Sequence, residues 1–464
     1  MFRRVLVAVL RVALRVFFRR IEVRGRRRVP REGALLFVVN HPNALVDPVF
    51  VLCHAPRRVS FLAKEPLFRT PVIGRLVRAM DSIPVHRKAD EGADTSRNRE
   101  TFELAQALLR RGGTIAICPE GTSHSDAKLR PLKTGAARIA LGVAGSDPAL
   151  DLKIVPAGIY YTAKTAFRSS ALLYFGEPLA VEAVAPDADG EPPRAAVHEL
   201  RERIARALRE VTLNAEHDQA LALVARAERI FTAESGADEG EGRTLKRELT
   251  LRQRFLEGYA YHFEHNPARL AALEARVRRY EEQLRQAGVD PEDLSAPRAG
   301  AARIVRYLFA RVVPALCLAP LALAGVVLHY PVYTLTGFLA TRFARESDDV
   351  VSTIKLVAAM LLFPLTWLAL AAVAYWRAGV WAALAALAVV PLAGWAAVRL
   401  FEKLDDFVGG ARALAFYFTR RWFFKELLVE RRRLREEMQA LGEEAARAAL
   451  IAPVAPAGPT HEIA

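Results

Sequence analysis

Cysteine is scarce in this chain, whose 464 residues contain three cysteines at widely separated positions, Cys53, Cys118 and Cys317. Their spacing fits neither a disulfide framework nor a zinc site, and it agrees with a reducing compartment. No internal sequence repeat is visible. Residues 1–20 lack the uninterrupted apolar core and the small-residue cleavage site that define a signal peptide. The sequence therefore gives no indication of a secreted, cysteine-stabilised protein.

A nucleic-acid-binding module of basic and aromatic residues is also missing, although the chain is strongly basic. Lys and Arg number 66 against 51 Asp and Glu, which gives a formal net charge of +15. Hydrophobic residues make up 52% of the chain, and the mean hydropathy is +0.12. We therefore expect membrane segments and anionic partners such as phospholipid headgroups or phosphorylated substrates, and no nucleic acid. The length favours two or three parts.

Residues 1–20 are expected to form a basic amphipathic helix. Arg4, Arg11, Arg15 and Arg19 recur at helical spacing in a segment that is otherwise rich in Val, Leu and Phe. This pattern is typical of a helix in the membrane interface, with the arginines facing anionic headgroups. An ordinary surface helix packed on its own domain is the alternative.

Strands and helices alternate between residues 21 and 183. Such alternation predicts an α/β domain with a largely parallel sheet and flanking helices. The expected strands are Leu35–Val39, Val59–Ala63, Thr114–Cys118, Lys153–Tyr160 and Ala171–Phe175, and the expected helices include Asp47–Cys53, Pro71–Met80 and Ser96–Arg111.

The strand Leu35–Val39 runs directly into a turn that contains His41, and Asp47 follows six residues later. In α/β sheets ligands bind at the carboxyl ends of strands. If the chain turns between the two residues, the carboxylate can orient the imidazole while the other ring nitrogen takes a proton from an attacking hydroxyl. Two alternatives remain open, because Asp47 before Pro48 also suits a helix N-cap and His41 also suits a solvated turn.

Three further blocks follow this one: SIPVHRK at residues 82–88, TIAICPEGTS at 114–123 and KIVPAGIYY at 153–161. With the first block they resemble the glycerophospholipid acyltransferase family, whose blocks are His-x4-Asp, Pro-x-x-Arg, Pro-Glu-Gly-Thr and Val-Pro in this order. Here the first block is His-x5-Asp. Its wording is most similar to that of the fungal-type glycerol-3-phosphate and dihydroxyacetone-phosphate acyltransferases.

The resemblance implies that His41 and Asp47 are the catalytic residues. It also implies direct acyl transfer from acyl-CoA or acyl-carrier protein as co-substrate, with no metal and no other cofactor. Arg87 aligns with the phosphate-binding arginine of the family, whose planar fork suits a phosphate. A surface cation is the alternative for this residue.

The Pro-Glu-Gly-Thr block contributes three expected substrate-binding residues, Glu120, Gly121 and Thr122. Gly121 allows close approach of the backbone, and Thr122 can donate a hydrogen bond. For Glu120 two roles remain open: it contacts the acceptor, or it braces the loop.

The remainder of the chain is expected to be helical and partly membrane-embedded. We expect a linker at 184–196, a helical region at 197–295, a membrane domain at 296–400, an amphipathic helix at 401–450 and a disordered tail at 451–464. Within the helical region, residues 270–286 read either as a coiled coil or as part of a helical hairpin packed on the catalytic domain.

The membrane domain contains three apolar blocks, at 307–340, 351–375 and 378–398. Pro314, Pro320 and Pro331 interrupt the first block, which predicts a broken hairpin that enters and leaves on one face. The other two blocks are long enough to be true spans. The distribution of basic residues then places all flanks except the turn at Arg377 in the cytoplasm. Three simple spans are the alternative.

Taken together, the sequence predicts an integral enzyme of the cytoplasmic membrane whose active site faces the cytoplasm. The expected reaction is transfer of a fatty acyl group to glycerol-3-phosphate or dihydroxyacetone phosphate in phospholipid biosynthesis. A lysophosphatidate acyltransferase or a lysophospholipid remodelling enzyme is the alternative within the same chemistry. A non-catalytic membrane scaffold or transporter is the alternative outside it.

Overall fold

The computed structural model describes residues 2–69, 71–86, 98–126, 128–215, 218–232, 244–290, 301–344 and 348–451. The chain divides into two compact units. One consists of Met1–Asn214 with Tyr330–Leu370, and the other of Ala215–His329 with Ala371–Ala464.

The N-terminal part of the chain alternates strands and helices. In chain order its elements are α1 (Phe2–Phe17), β1 (Arg20–Arg24), β2 (Leu35–Val39), α2 (Val46–His54), β3 (Ser60–Lys64), α3 (Pro66–Arg69), α4 (Pro71–Ala79), β4 (Ile83–Val85), α5 (Asn98–Arg110), β5 (Thr114–Ile117), α6 (Gly135–Ser146), β6 (Lys153–Tyr161), β7 (Ser170–Phe175), β8 (Leu179–Ala180) and α7 (Arg194–Val211).

The C-terminal part is entirely helical where the structure describes it. Its elements are α8 (Asp218–Thr232), α9 (Leu245–His265), α10 (Pro267–Ala287), α11 (Ala301–Phe343), α12 (Asp348–Ala378), α13 (Val380–Thr419) and α14 (Arg421–Ile451). The expected disordered tail lies outside the described residues from position 452 onward.

The strands form one mixed sheet in the order β1-β7-β6-β2-β5-β3-β4, with β8 added beside β6. All neighbouring pairs are parallel except β6 with β7 and β6 with β8. The prediction of an α/β domain with a largely parallel sheet is confirmed. Strands β1, β4 and β8 are additional to the expected ones.

Strand β2 lies at the centre of the sheet, and both of its faces are buried. Leu35, Phe37 and Val39 point into a cluster with α1 and α2, whereas Leu36 and Val38 point into a second cluster with α5, α6 and α7. This is the period-2 alternation of a strand covered by helices on both faces, and it explains why all five residues are apolar.

The parallel strands β2, β5, β6, β3 and β4 all end at the same edge of the sheet. The chain leaves β2 toward His41, β5 toward Glu120 and β6 toward Lys164. Side chains that lie far apart in sequence therefore meet at one edge, where α/β proteins bind their ligands.

Helix α1 packs on the sheet domain and also keeps an apolar outer face. Leu14 and Phe17 are buried in the core cluster. Five large residues on the outer face remain exposed, spaced three and four apart as one helical stripe: Phe2, Val5, Val9, Val12 and Val16. The helix is therefore packed on its own domain, and contact of its outer face with a membrane stays a prediction.

Two arginines of α1 bind groups of the domain. Arg11 is exposed, and its Nε donates to the carbonyl oxygen of Cys53 at 2.8 Å. Arg3 likewise binds Asp81 at 2.6 Å and the carbonyl oxygen of Val59 at 2.8 Å. These contacts fix the helix to the domain and leave the exposed valines as its outer surface.

The boundary expected at residue 197 is also wrong, because α7 belongs to the first unit. Val197, Leu200, Ile204, Leu208 and Val211 are buried in the cluster under the sheet. Their spacing of three and four residues presents one helical face to the strands.

In the second unit α10 packs with α8, α9 and α14. Val277, Tyr280 and Leu284 of α10 share a core cluster with Leu434 and Met438 of α14. The segment 270–286 is therefore one helix of a bundle within this unit.

Three helices are long and apolar enough to span a membrane: Leu316–Phe343 in α11, Asp348–Ala378, which is α12, and Val380–Glu402 in α13. Large apolar side chains remain exposed along them, for example Leu361, Leu365 and Leu368 on α12. Since so much exposed apolar surface is typical of a lipid-facing segment, the chain is membrane-associated.

The broken hairpin expected at 307–340 is contradicted, because α11 is one continuous helix from Ala301 to Phe343. A proline removes one hydrogen-bond donor and bends a helix, but it does not by itself reverse the chain. The three prolines therefore mark bends at most, and this segment contains no turn.

Helices α11 and α13 cross at small residues. A Cβ atom at Gly325 of α11 would lie 2.0 Å from the carbonyl oxygen of Ala393 in α13. Ala322, Ala396 and Ala397 line the same crossing and are buried. Small residues of this kind let two apolar helices approach closely in a membrane.

Replacing Gly325 by Ala is expected to separate α11 from α13 and to destabilise the protein by about 1–3 kcal/mol, because the new methyl group meets the backbone of the partner helix. The matched control is Gly337→Ala in the same helix, where a Cβ atom would meet nothing within 4 Å. Thermal unfolding in detergent should show a lower midpoint for Gly325→Ala alone. Equal midpoints would mean that the crossing does not form.

Candidate active site

His41 and Asp47 form a hydrogen-bonded pair at the carboxyl end of β2. The Nδ1 atom of His41 lies 2.9 Å from Oδ2 of Asp47. The histidine side chain is 18% exposed and the aspartate side chain 1%. Because the carboxylate accepts the Nδ1 proton, Nε2 is the ring nitrogen that can accept a proton from a ligand.

Two more donors hold the carboxylate of Asp47. The backbone N–H of Asn43 donates to Oδ2 at 2.7 Å, and the hydroxyl of Tyr161, at the end of β6, donates to Oδ1 at 2.7 Å. Burial raises the pKa of Tyr161 well above its ordinary value, and the charge of Asp47 adds to this effect. Tyr161 therefore remains a hydrogen-bond donor at neutral pH.

The turn between His41 and Asp47 brings the pair together despite the extra residue of the His-x5-Asp spacing. Ala44 has a φ angle of +29°, in the region that disfavours residues with a side chain. The N-cap position of α2 is Leu45, and Asp47 lies in the first turn. The N-cap alternative for Asp47 is therefore wrong, and its carboxylate orients the histidine.

Glu120 is buried, and both of its carboxylate oxygens are bound by groups of the protein. Oε1 accepts the backbone N–H of His41 at 3.1 Å. Oε2 accepts the backbone N–H of Arg130 at 2.9 Å and is also hydrogen-bonded to Nε2 of His124. Of the two roles left open for Glu120, these contacts match the bracing of the loop.

Gly121 and Thr122 follow Glu120 at the surface of the same loop. Gly121 has a φ angle of +77°, and a Cβ atom there would lie 2.7 Å from Nζ of Lys133. Thr122 is half-buried, and its hydroxyl lies 3.3 Å from the carbonyl oxygen of Ser123. Glycine therefore allows both the turn and the passage of the Lys133 side chain.

A third loop, after β6, brings a lysine to the same edge. Nζ of Lys164 lies 3.4 Å from the carbonyl oxygen of Pro42 and is hydrogen-bonded to the hydroxyl of Ser125. Desolvation by burial lowers the pKa of Lys164, and nearby aspartates, including Asp47, oppose this. The position of Arg87, two residues after β4, lies outside the described residues.

Cys118 lies beside the pair but is not poised as a nucleophile. Burial raises the pKa of its thiol well above the ordinary value, and the charges of Asp47 and Glu120 contribute. A thiol of this kind stays protonated at neutral pH. Among the residues described by the structure, no group of three His, Cys, Asp or Glu side chains could hold a metal ion.

Sequence reasoning did not single out Tyr161, His124, Lys133 or Lys164. For Tyr161 and His124 a signal existed. Tyr161 ends a strand that lies beside β2, and His124 follows Glu120 by four residues. The lysines carry no comparable signal, because their positions depend on how the loops after β5 and β6 fold.

The site and the sheet agree with two family models that match this chain. Residues 20–160 match the family described as Acyltransferase. Residues 237–446 match the family described as glycerol-3-phosphate acyltransferase 2 C-terminal domain. The first match contains His41, Asp47 and Glu120, and the second covers most of the helical C-terminal part.

The chain is also similar to curated acyltransferases. Glycerol-3-phosphate O-acyltransferase 1 of Saccharomyces cerevisiae is 26% identical over 448 residues, which cover 76% of this chain and 58% of the relative. Glycerol-3-phosphate O-acyltransferase 2 of the same yeast is 29% identical over 283 residues, 58% of this chain and 37% of the relative. The chain thus spans about half the length of these relatives.

Shorter matches come from the lysophosphatidate branch. The 1-acyl-sn-glycerol-3-phosphate acyltransferase of Borreliella burgdorferi is 28% identical over 143 residues, 31% of this chain and 52% of the relative. The crystal structure of the 1-acyl-sn-glycerophosphate acyltransferase PlsC from Thermotoga maritima is 20% identical and covers 45% of this chain and 80% of that chain, with a TM-score of 0.33.

The sheet, the His41–Asp47 pair and the Pro-Glu-Gly-Thr loop therefore define an acyltransferase domain. This domain is similar to those of the glycerophospholipid acyltransferase family, and residues 237–446 behind it match the family described as glycerol-3-phosphate acyltransferase 2 C-terminal domain. The family resemblance drawn from the four motif blocks is confirmed.

Replacing Glu120 by Gln is expected to destabilise the protein by about 1–3 kcal/mol and to lower kcat, because an amide nitrogen would face donors that now share a carboxylate. The KM for the acceptor should change little. The matched control is Glu65→Gln, whose carboxylate pairs with the exposed Arg69. Thermal unfolding and steady-state kinetics measure both effects. A raised acceptor KM at unchanged stability would instead make Glu120 a substrate ligand.

Proposed function

We propose that this protein transfers a fatty acyl group from acyl-CoA or acyl-carrier protein to the hydroxyl of glycerol-3-phosphate or dihydroxyacetone phosphate. The observation that carries the proposal is the His41–Asp47 pair at the sheet edge, with its carboxylate buried and held by three donors. Similarity to the two glycerol-3-phosphate O-acyltransferases of yeast supports glycerol-3-phosphate as the acceptor.

In this reaction His41 is the general base. Its Nε2 takes the proton of the attacking hydroxyl as the new C–O bond forms at the thioester carbonyl, and Asp47 stabilises the resulting imidazolium. The C–S bond then breaks, and the imidazolium returns the proton to the departing thiolate. No covalent acyl-enzyme is required, in keeping with the protonated state of the neighbouring thiol of Cys118.

The acceptor carries a phosphate, so the site needs cations near His41. Lys164 lies between the loops of His41 and Ser125 and is the described cation best placed for this task. Arg87, two residues after β4 in the sequence, is proposed as the second phosphate ligand, since a guanidinium binds phosphate in a bidentate manner.

A lysophosphatidate acceptor is the second candidate, because the chain is also similar to 1-acyl-sn-glycerol-3-phosphate acyltransferases over 123 and 143 residues. Both acceptors present a phosphate and a free glycerol hydroxyl, so they demand the same base. They differ in the acyl chain of lysophosphatidate, which needs an apolar surface or the membrane itself.

The purified protein should acylate glycerol-3-phosphate faster than lysophosphatidate when each is supplied with acyl-CoA or with acyl-carrier protein. Product formation from a radiolabelled donor measures all four combinations. Transfer to lysophosphatidate alone would reject the proposed acceptor and favour the second candidate. Transfer to neither would reject the function.

His41→Ala should lower kcat by about 10²–10⁴-fold, because the general base is lost while a turn residue contributes little to the core. Asp47→Asn should also lower kcat strongly, since its amide nitrogen would face one or more of the groups that now donate hydrogen bonds to the carboxylate. The matched control is His198→Ala, which replaces an exposed histidine on α7. Full turnover of the His41 variant would contradict the mechanism.

We further propose that the active site faces the cytoplasm at the cytoplasmic membrane, where acyl donors are made, and that anionic lipids contact the exposed face of α1. Residues 1–214 and the first turns of α12 belong to one compact unit, so they lie on one side of the membrane. Within the described residues, α11 is the one candidate span between residue 214 and α12. A single crossing cannot return to the same side, so α11 does not cross, and α12 with α13 forms the membrane hairpin.

A reporter that is active only outside the cytoplasm should therefore be silent when fused after Gly410, since an even number of crossings precedes it. The matched fusion after Gly379, in the turn between α12 and α13, should be active. Activity after Gly410 would contradict the hairpin and favour three spans.

A further inference from the structure

The first turns of α12 contact each of the three loops that build the active site. The hydroxyl of Thr353 accepts the backbone N–H of Leu45, in the His41 loop, at 3.1 Å. The hydroxyl of Ser123, three residues after Glu120, donates to the carboxylate of Asp349. The hydroxyl of Ser352 donates to the carbonyl oxygen of Lys164, in the loop after β6.

These contacts come from one face of the helix. Asp349, Ser352 and Thr353 are spaced three and four residues apart, as neighbours on a helical surface are. Leu356 continues the same face and is buried in the core cluster with α1 and α2, and Met360 packs against that cluster. Ser352 is fully buried, and Asp349 is 7% exposed. The face is therefore docked on the domain and not left to solvent or lipid.

The His41 loop needs support from outside because its own geometry is unfavourable. Ala44 has a positive φ angle of 29°, which a non-glycine residue adopts only when its surroundings impose it. Leu45 follows directly, and its N–H stands at the N-cap position of α2, where the helix offers it no acceptor. The Thr353 hydroxyl supplies that acceptor from a residue 308 positions away.

The loop after β6 is fixed in the same way. Besides Ser352, Nζ of Lys355 donates to the carbonyl oxygen of Thr165 at 2.8 Å. The consecutive backbone carbonyls of Lys164 and Thr165 are thus bound to α12, while the Lys164 ammonium lies against the His41 loop. A shift of α12 would move this cation together with the catalytic turn.

We propose that the first two turns of α12 are part of the catalytic centre and position its three loops, with Asp349, Ser352 and Thr353 as positioning residues. This inference rests on the proposed acyl transfer for its kinetic test. It means that the segment matched by the acyltransferase model, which ends at residue 160, does not hold its catalytic geometry alone. It also joins the active site to a helix that continues as a membrane span.

The test compares three variants of one helix in the full-length protein. Thr353→Val removes the acceptor for Leu45 without a change of shape, Thr353→Ser keeps it, and Thr366→Val is the matched control. Thr366 donates to the carbonyl oxygen of Leu362 in its own helix. Thr353→Val should lower kcat about tenfold or more with acceptor KM within about twofold, because misplaced catalytic groups slow the chemical step. Thr353→Ser and Thr366→Val should keep kcat within about threefold.

A second measurement needs no substrate. Hydrogen exchange of the backbone amides at residues 43–47 should become faster in Thr353→Val and stay unchanged in Thr353→Ser. Unchanged exchange in Thr353→Val, wild-type kcat in that variant, or equal loss in Thr353→Ser would overturn the inference. If the wild type acylates lysophosphatidate and not glycerol-3-phosphate, the proposed acceptor fails, and the kinetic comparison is made with lysophosphatidate. If it acylates neither, the exchange result alone decides.

Discussion

The structure of the catalytic edge depends on one buried negative charge. The Asp47 carboxylate is almost fully removed from solvent, and a charge in such a place is tolerated only when donors satisfy it. The imidazole of His41, the N–H of Asn43 and the hydroxyl of Tyr161 provide those donors. They come from the end of β6 and from the turn between β2 and α2, so the charge can be accommodated only when these two neighbouring strands are correctly paired. The hydrogen bond from Nδ1 of His41 to the buried carboxylate also fixes the tautomer of the histidine.

A second buried carboxylate, that of Glu120, follows the neighbouring strand β5 and is also satisfied by donors of the protein. Glu120 binds the backbone of His41 on one side and that of Arg130 on the other, so it joins the loops after β2 and β5. The backbone N–H of His124 donates in turn to the carbonyl oxygen of His41. The two loops therefore form one hydrogen-bonded body, in which the position of the imidazole is set from both the side chain and the main chain. A rigid base of this kind reduces the reorganisation that proton transfer requires.

The strained turn at Ala44 shows why the acyltransferase sheet is not sufficient by itself. Its geometry persists because two hydrogen bonds hold the residues on either side of Ala44. The N–H of Asn43 donates to Asp47, and the N–H of Leu45 donates to the hydroxyl of Thr353. The helix that carries Thr353 also presents exposed leucines and is long and apolar enough to span a membrane. The same helix therefore packs against the core of the domain and satisfies polar groups of the active-site loops.

Elements with local signals could be predicted from the sequence. The apolar run Leu35–Val39, the end of that strand at His41 and the four motif blocks were enough to predict the strand, the hydrogen-bonded pair of His41 and Asp47 and the family resemblance. The contacts of Glu120, the position of Lys164 and the contacts of α12 could not be predicted, because each depends on residues that are far apart in the chain. The prolines of α11 gave a wrong prediction because a proline removes one backbone donor and bends a helix without necessarily ending it, and α11 continues through all three.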